Sequence, residues 1–187
     1  MRIIGGKLKG KKIVLPVNKS TRPLKDMVRE SIFNILEHSN NEFLKINKSK
    51  VLDLFSGTGS FGIECISRGS KEVVFFENYS KSLEILKKNI FNLDLNSKSK
   101  IIERSAYEID KINMLKGSYD LIFIDPPFKD KNLNLILKKI KNSKITHKNT
   151  LIIIHRNKKF REFINQDLII SRVKIYGSSK IIFGKLV

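Results

Sequence analysis

The sequence predicts an α/β fold with a mostly parallel sheet and helices on both faces, and three observations lead to it. Strand-like and helix-like segments alternate from Lys50 onward. A glycine-rich loop lies between the first of these strands and the helix after it. A buried apolar strand stops at two consecutive prolines. Alternation of strand and helix favours parallel pairing, because each crossover helix lays its apolar side on the sheet.

The segment from Arg2 to about Pro16 has short β-prone pieces around Gly5-Gly6 and Gly10, which suits a hairpin decorated by Lys7, Lys9, Lys11 and Lys12. Pro23 then opens a helix that ends near His38 and carries Val28, Ile32, Ile35 and Leu36 on one face. Residues 39–50, rich in Asn and Lys, form a connector. Strands follow at Val51–Phe55, Val73–Glu77, Lys100–Glu103, Leu121–Asp125 and Leu151–His155. Helices are expected between them at Ser60–Arg68, Ser80–Asn92, Ala106–Leu115 and Lys131–Lys141. Ser80 is a suitable cap, with Leu83, Leu86 and Ile90 at helical spacing behind it. Leu168–Tyr176 and Lys180–Val187 are joined only by Gly177-Ser178-Ser179, so they pair as an antiparallel C-terminal hairpin. The expected organisation is an N-terminal hairpin-and-helix extension over 1–45 and a nucleotide-binding domain over 46–187. Ligands in such sheets sit at the carboxyl ends of the strands, beside the switch point.

The chain has 187 residues and a net charge of +19, from 37 Lys and Arg against 18 Asp and Glu. Such an excess suits a polyanionic partner, because cations that neutralise phosphates release counterions. An A/T-rich genome would also enrich Lys, Asn and Ile, but does not account for a twofold excess of base over acid. The one cysteine, Cys65, cannot form an internal disulfide and reads as a small core residue. Met1 to Gly6 lacks the apolar stretch of a signal peptide, and no apolar run is long enough to cross a bilayer. The expectation is a soluble cytoplasmic protein with no membrane contact and no obligate protein partner.

The first strand of the alternation runs into Asp53-Leu54-Phe55-Ser56-Gly57-Thr58-Gly59-Ser60-Phe61-Gly62, which satisfies G-x-G-x-x-G, and Glu77 ends the next strand 20 residues after Gly57. An acid there can accept from two ribose hydroxyls. A dinucleotide would bring a pyrophosphate to this loop, and Asp53 would repel it. S-adenosylmethionine carries a sulfonium and an ammonium, which Asp53 attracts. The rival readings are a tight turn at Gly57 and Gly59, a capping or buried hydrogen-bonded role for Asp53, and simple packing for Phe61.

Tyr119 to Ile124 leads directly into Asp125-Pro126-Pro127-Phe128. Two prolines end the strand ladder and hold the backbone extended, fixing the local carbonyls and the Asp125 side chain. The lone pair of an exocyclic base amine is delocalised into the ring. Two acceptors on its hydrogens, the Asp125 carboxylate and the Pro126 carbonyl, would localise that lone pair. Phe128 would stack on the base and align it with the methyl–sulfonium bond. No metal is required. The plainer reading is a strand end with a Pro-Pro turn and a buried Phe.

At this point the chain resembles the bacterial methyltransferases that modify guanine N2 in small-subunit (16S) ribosomal RNA, the RsmD type. The likeness includes Met1-Arg2-Ile3-Ile4-Gly5-Gly6-Lys7 with Lys9-Gly10, then Arg22-Pro23, Asp26, Val28-Arg29-Glu30 and Phe33-Asn34. It continues through Asp53 to Gly59 and Asp125 to Phe128, with a looser match at Lys174, Tyr176 and Gly177. It implies a Rossmann-like class I methyltransferase domain whose N-terminal hairpin and helix help engage RNA. It also implies action during assembly of the small subunit, on a guanine in a hairpin loop near the P site. With the motif readings, Asp53, Phe55, Gly57, Gly59, Glu77, Ser105 and Ala106 are expected to hold S-adenosylmethionine and its product S-adenosylhomocysteine. Asp125, Pro126 and Phe128 are expected to act on the amine, and Lys7, Lys9, Arg22, Arg29 and Pro127 to meet the RNA.

Relatives often place Asp or Asn where this chain has Ser105, and an acid where it has His155-Arg156. Arg22 and Arg29 have a rival reading as residues ion-paired near Asp26 and Glu30. Three other functions stay open on sequence: a DNA adenine methyltransferase, for which the chain lacks room for a target-recognition region; an NAD-dependent oxidoreductase; and a non-catalytic RNA-binding module.

Overall fold

The computed structural model describes residues 1–16, 24–38, 44–113, 115, 117–159, 164 and 166–187. Five parallel strands, β1 (Lys50–Leu54), β2 (Glu72–Phe76), β3 (Ser99–Ile102), β4 (Leu121–Ile124) and β5 (Leu151–Asn157), share one sheet with β6 (Leu168–Tyr176) and β7 (Ser179–Leu186). The order is β3-β2-β1-β4-β5-β7-β6, with β7 antiparallel to both its neighbours. The C-terminal hairpin therefore enters the sheet second strand first.

The apolar runs are continuous because both faces are covered. On one face Val51, Val73, Phe75, Phe123, Ile153 and Phe183 pack with residues of α1 (Asp26–His38), α2 (Ser60–Ser67) and α3 (Ser80–Asn92). On the other, Leu52, Phe76, Ile122, Ile154 and Ile182 pack with α4 (Leu133–Asn142). No helix among the described residues is long and apolar enough to cross a membrane.

Two local expectations, a helix after β3 and a cap at Ser80, differ from what is observed. The predicted helix Ala106–Leu115 is a 3-10 turn over Ala106–Lys111. Its apolar residues Ala106, Ile109, Ile112 and Leu115 recur every third position, which matches three residues per turn. Ser80 is the first residue of α3 and not its cap; Tyr79 holds the cap position and makes no capping side-chain bond. The N-terminal hairpin closes on a single bridge, Arg2 to Lys12, with a 3-10 turn at Gly6–Leu8 as its tip. Its buried Ile3 and Ile13 join the first core face.

The hairpin is fastened to α2 by charge. The Glu64 side chain is fully buried and accepts from the backbone N–H of Ile4 at 2.9 Å and of Gly5 at 2.7 Å, and from Arg68 Nε at 2.9 Å. Arg29, expected to meet RNA, is also 0% exposed. It donates to the Arg2 carbonyl and to Asp26 Oδ1, and lies 3.8 Å from Glu64 Oε2. Its rival reading, an ion-paired helix residue, is what the structure shows. Burial lowers the Arg29 pKa, and the Glu64 and Asp26 carboxylates oppose that shift. Helix α1 carries Arg29 on its apolar face beside Val28, Ile32 and Phe33, so the guanidinium points inward and is closed off from any RNA.

Candidate functional site

Strand register brings the site together. Leu54 of β1 pairs with Phe76 of β2 and with Ile124 of β4, and Ile124 pairs with Ile154 of β5. The residues one step further, Phe55, Glu77, Asp125 and His155, therefore emerge side by side at the carboxyl ends of the strands. Chain order reverses between β1 and β4, so the crevice there is the switch point. A cavity of about 500 Å³ opens at that point and all four residues line it.

The loop after β1 is shaped by its backbone. Phe55 has φ 62°, a left-handed conformation that costs a non-glycine residue energy and is most often kept at working sites. Gly57 (φ 56°) leaves open space where a side chain would stand, which lets a ligand approach the backbone. At Gly59 (φ 81°) a Cβ would lie 2.5 Å from Leu86 of α3, so glycine permits the close packing of loop on helix. Asn89 of α3 fastens this loop to the N-terminal segment, donating to the Thr58 carbonyl at 3.0 Å while pairing with Val14 N–H and C=O.

Glu77 accepts from Gly57 N–H at 2.7 Å, Asn78 N–H at 2.9 Å and Tyr79 N–H at 2.7 Å. Burial raises its pKa, and these three N–H groups pull the other way. Asp53 is 1% exposed and its Oδ2 accepts from Gly62 N–H at 3.0 Å, in the first turn of α2. It is thus hydrogen-bonded at the helix start and also lines the cavity. Burial pushes its carboxyl well above the ordinary range, and the charges of Asp125 and Glu77 add to the rise. Three acids around one cavity favour a cation inside it.

On the other side, Asp125, Pro126, Pro127 and Phe128 all line the cavity. Arg156, 2% exposed, donates to the Pro127 carbonyl at 3.2 Å and to the Asp130 carbonyl, clamping the segment from behind. Phe61 packs as well as lines: its ring stacks on Phe123 with centroids 3.9 Å apart. Cys65 is a buried core residue.

Other predicted residues fall elsewhere. Ala106 lines the cavity, whereas Ser105 does not; its hydroxyl accepts from Tyr107 N–H and caps the 3-10 turn. Lys7 and Lys9 are exposed on the hairpin tip, which lies against Ser67 at the far end of α2 from the glycine loop. Arg22 lies outside the described residues.

Leu24 and Lys25, just before α1, line the cavity unforeseen, as do Ser179 and His155. His155 had a detectable signal: once β4 and β5 are placed as parallel neighbours, a register that ends both strands together sets residue 155 beside Asp125. Nothing local announces Leu24 and Lys25.

The chain matches known proteins over nearly its whole length. The family described as Conserved hypothetical protein 95 matches residues 1–185. The ribosomal RNA small subunit methyltransferase D of Buchnera aphidicola subsp. Baizongia pistaciae is 34% identical over 164 residues, covering 88% of this chain and 80% of that one. Its namesake from Haemophilus influenzae is 35% identical over 129 residues, covering 68% of this chain and 64% of that one. Among solved structures, the Escherichia coli protein yhhF is 24% identical with a TM-score of 0.82, over 100% of this chain and 97% of that one. The Haemophilus influenzae protein HI0767 is 26% identical with a TM-score of 0.76, over 100% and 98%. The first is described as a methyltransferase and the second as a methylase, and the fold is the Rossmann-like class I fold. The chain belongs to the family of the ribosomal RNA small subunit methyltransferase D proteins, the one described as Conserved hypothetical protein 95.

Proposed function

We propose that this chain transfers a methyl group from S-adenosylmethionine to the exocyclic N2 amine of a guanine in small-subunit ribosomal RNA, as the subunit assembles. The observation that carries this reading is the shared cavity: the Asp125–Phe128 segment faces the same space as the glycine loop and Glu77. The names of the relatives supply the RNA, and the net charge of +19 agrees with it.

The residues present fit the methyl donor. About 500 Å³ suits a ligand of that size. Glu77 stands where a ribose would lie, and Ala106 and Tyr79 border the same space. A dinucleotide fits less well, because the Gly57 N–H that would cradle a phosphate is already bonded to the Glu77 carboxylate. When bound, the donor supplies an electrophilic methyl group on a sulfonium that leaves as a neutral thioether. Glu77 orients the ribose, and Asp53 and Glu77 counter the donor's positive charge. Phe128 stacks on the base and Pro127 borders it. Asp125 and the Pro126 carbonyl accept from the two amine hydrogens, so the nitrogen lone pair turns towards the methyl. Asp125 then takes the proton that the methylated nitrogen must lose. Lys7 and Lys9, exposed on the hairpin tip, and Arg22 are assigned to contacts with the RNA.

The test is transfer of label from S-adenosylmethionine, offering small subunits lacking the modification beside naked rRNA and duplex DNA. Label recovered as N2-methylguanosine supports the reading. Label in DNA alone moves the assignment to an adenine methyltransferase, and donor binding without label in any substrate removes the RNA assignment.

The raised carboxyls predict a pH dependence. Between the ordinary pKa and the raised one, folded Asp53 and Glu77 hold protons that the unfolded chain has released, so the ligand-free fold loses stability as pH rises through that window. A cationic donor prefers the ionised acids, so its affinity should rise over the same window. Calorimetric titration with S-adenosylmethionine across mildly acidic to neutral pH checks this, and Asp53→Asn should flatten the rise. An affinity independent of pH in the wild-type protein would show that these acids do not meet the donor's charge.

A further inference from the structure

We propose that His155, held in place by Ser179, is the positioning residue that fixes the Asp125 carboxylate for the amine. The inference rests on the catalytic reading of Asp125 given above and adds a part that neither the motifs nor the names of the relatives supply.

His155 Nδ1 lies 2.8 Å from Asp125 Oδ1, and His155 Nε2 lies 2.9 Å from Ser179 Oγ. The imidazole is 7% exposed, so both ring nitrogens are committed inside the protein. An ionised carboxylate only accepts, which places the ring proton on Nδ1. On the other side of the ring, Nε2 and the Ser179 hydroxyl share the second hydrogen bond. The two hydrogen bonds link Ser179 through His155 to Asp125.

The effect on Asp125 is geometric. The terminal torsion of an aspartate is broad, so an untethered carboxylate would turn in the mouth of the cavity. Nδ1–H pins Oδ1 and leaves Oδ2 as the oxygen that meets the amine. The same ring stands edge-on to Phe128, with centroids 5.4 Å apart and planes at 73°, so it also supports the proposed base platform. Arg156, next in sequence, holds the backbone of this segment through the Pro127 carbonyl. The end of β5 therefore secures the segment twice, by its backbone and by its acid. A carboxylate at position 155 would have no N–H to donate to Asp125. In this chain the pinning donor comes from imidazole.

The experiment compares His155→Leu and His155→Asn with wild type, measuring kcat, RNA KM and the dissociation constant of S-adenosylmethionine. His155→Leu should lower kcat by about 30-fold with donor affinity unchanged within about twofold. His155→Asn places an amide N–H near the Nδ1 position and should recover kcat to within about fivefold of wild type. Should His155→Leu fail to bind donor, His155→Gln takes its place, keeping polarity and bulk but carrying its amide near the Nε2 position, and it should be as slow as predicted for the leucine. A leucine (or substitute glutamine) variant with at least half the wild-type kcat overturns the proposal. So does an asparagine variant as slow as the leucine or glutamine variant, since the ring and not its N–H would then be what matters. Asp125→Ala in the same assay separates the two levels. If that variant turns over normally, the catalytic reading itself has failed. If it is inactive while His155→Leu is not, only the positioning role is lost.

Discussion

Asp125→Ala is expected to lower methyl transfer by about 10²- to 10⁴-fold while S-adenosylmethionine affinity stays within about threefold of wild type. The split follows from where the side chain stands. Asp125 is 20% exposed at the cavity mouth, on the far side of β1 from Glu77. Removing it takes away one of two acceptors for the amine and the group that receives the proton. It leaves Glu77, Gly57 and Ala106 where they are. The alanine also releases His155 Nδ1, but next to open space, so the fold should tolerate the change. Single-turnover transfer alongside equilibrium donor binding would measure both quantities. Turnover near wild type would remove Asp125 from the mechanism; a large loss of donor affinity would place it in the donor site.

The second large effect is on stability. Glu64→Ala should destabilise the fold by about 4 kcal/mol, the usual cost of breaking a buried ion pair. For a protein of this size that lowers Tm by about 8–16 °C. The substitution removes the buried carboxylate that faces the Arg29 guanidinium, which is 0% exposed and whose Nε lacks a hydrogen-bond partner, and leaves Asp26 to balance its charge. It also orphans the Ile4 and Gly5 N–H groups and frees one face of Arg68. Combining it with Arg29→Met should recover part of the loss, because the buried charge that Glu64 no longer balances goes too. Thermal unfolding of the three variants checks this. A Glu64→Ala variant melting within about 2 °C of wild type would show that the carboxylate is dispensable.

Much of this is legible in sequence because two apolar runs are unbroken or nearly so. Val51–Leu54 and Leu121–Ile124 are apolar at every position except Asp53, and only a strand covered on both faces tolerates that. With the strands fixed, Gly57, Glu77 and Asp125 had to meet at one edge. Arg29 was misassigned for a physical reason: an arginine on a helix is solvated more often than not, and the counter-charge that draws it inward, Glu64, is 35 residues away. Ser105 has a local task that the sequence did not announce: its hydroxyl accepts from Tyr107 N–H at the start of a short helical turn. Leu24 and Lys25 were missed because chain geometry, not local composition, carries them to the cavity.

The place of β7 has a consequence for how the molecule comes into being. Ser179 begins β7, which lies between β5 and β6, so β6 has no place in the sheet until β7 has been synthesised. During synthesis the buried isoleucines of β5, Ile152 to Ile154, face an unfilled edge for as long as residues 179–186 are still in the ribosome. An apolar strand with an open edge recruits other strands. The growing chain is therefore most vulnerable to aggregation after β5 has emerged and before β7 has, and the step that removes the hazard also delivers Ser179 to His155.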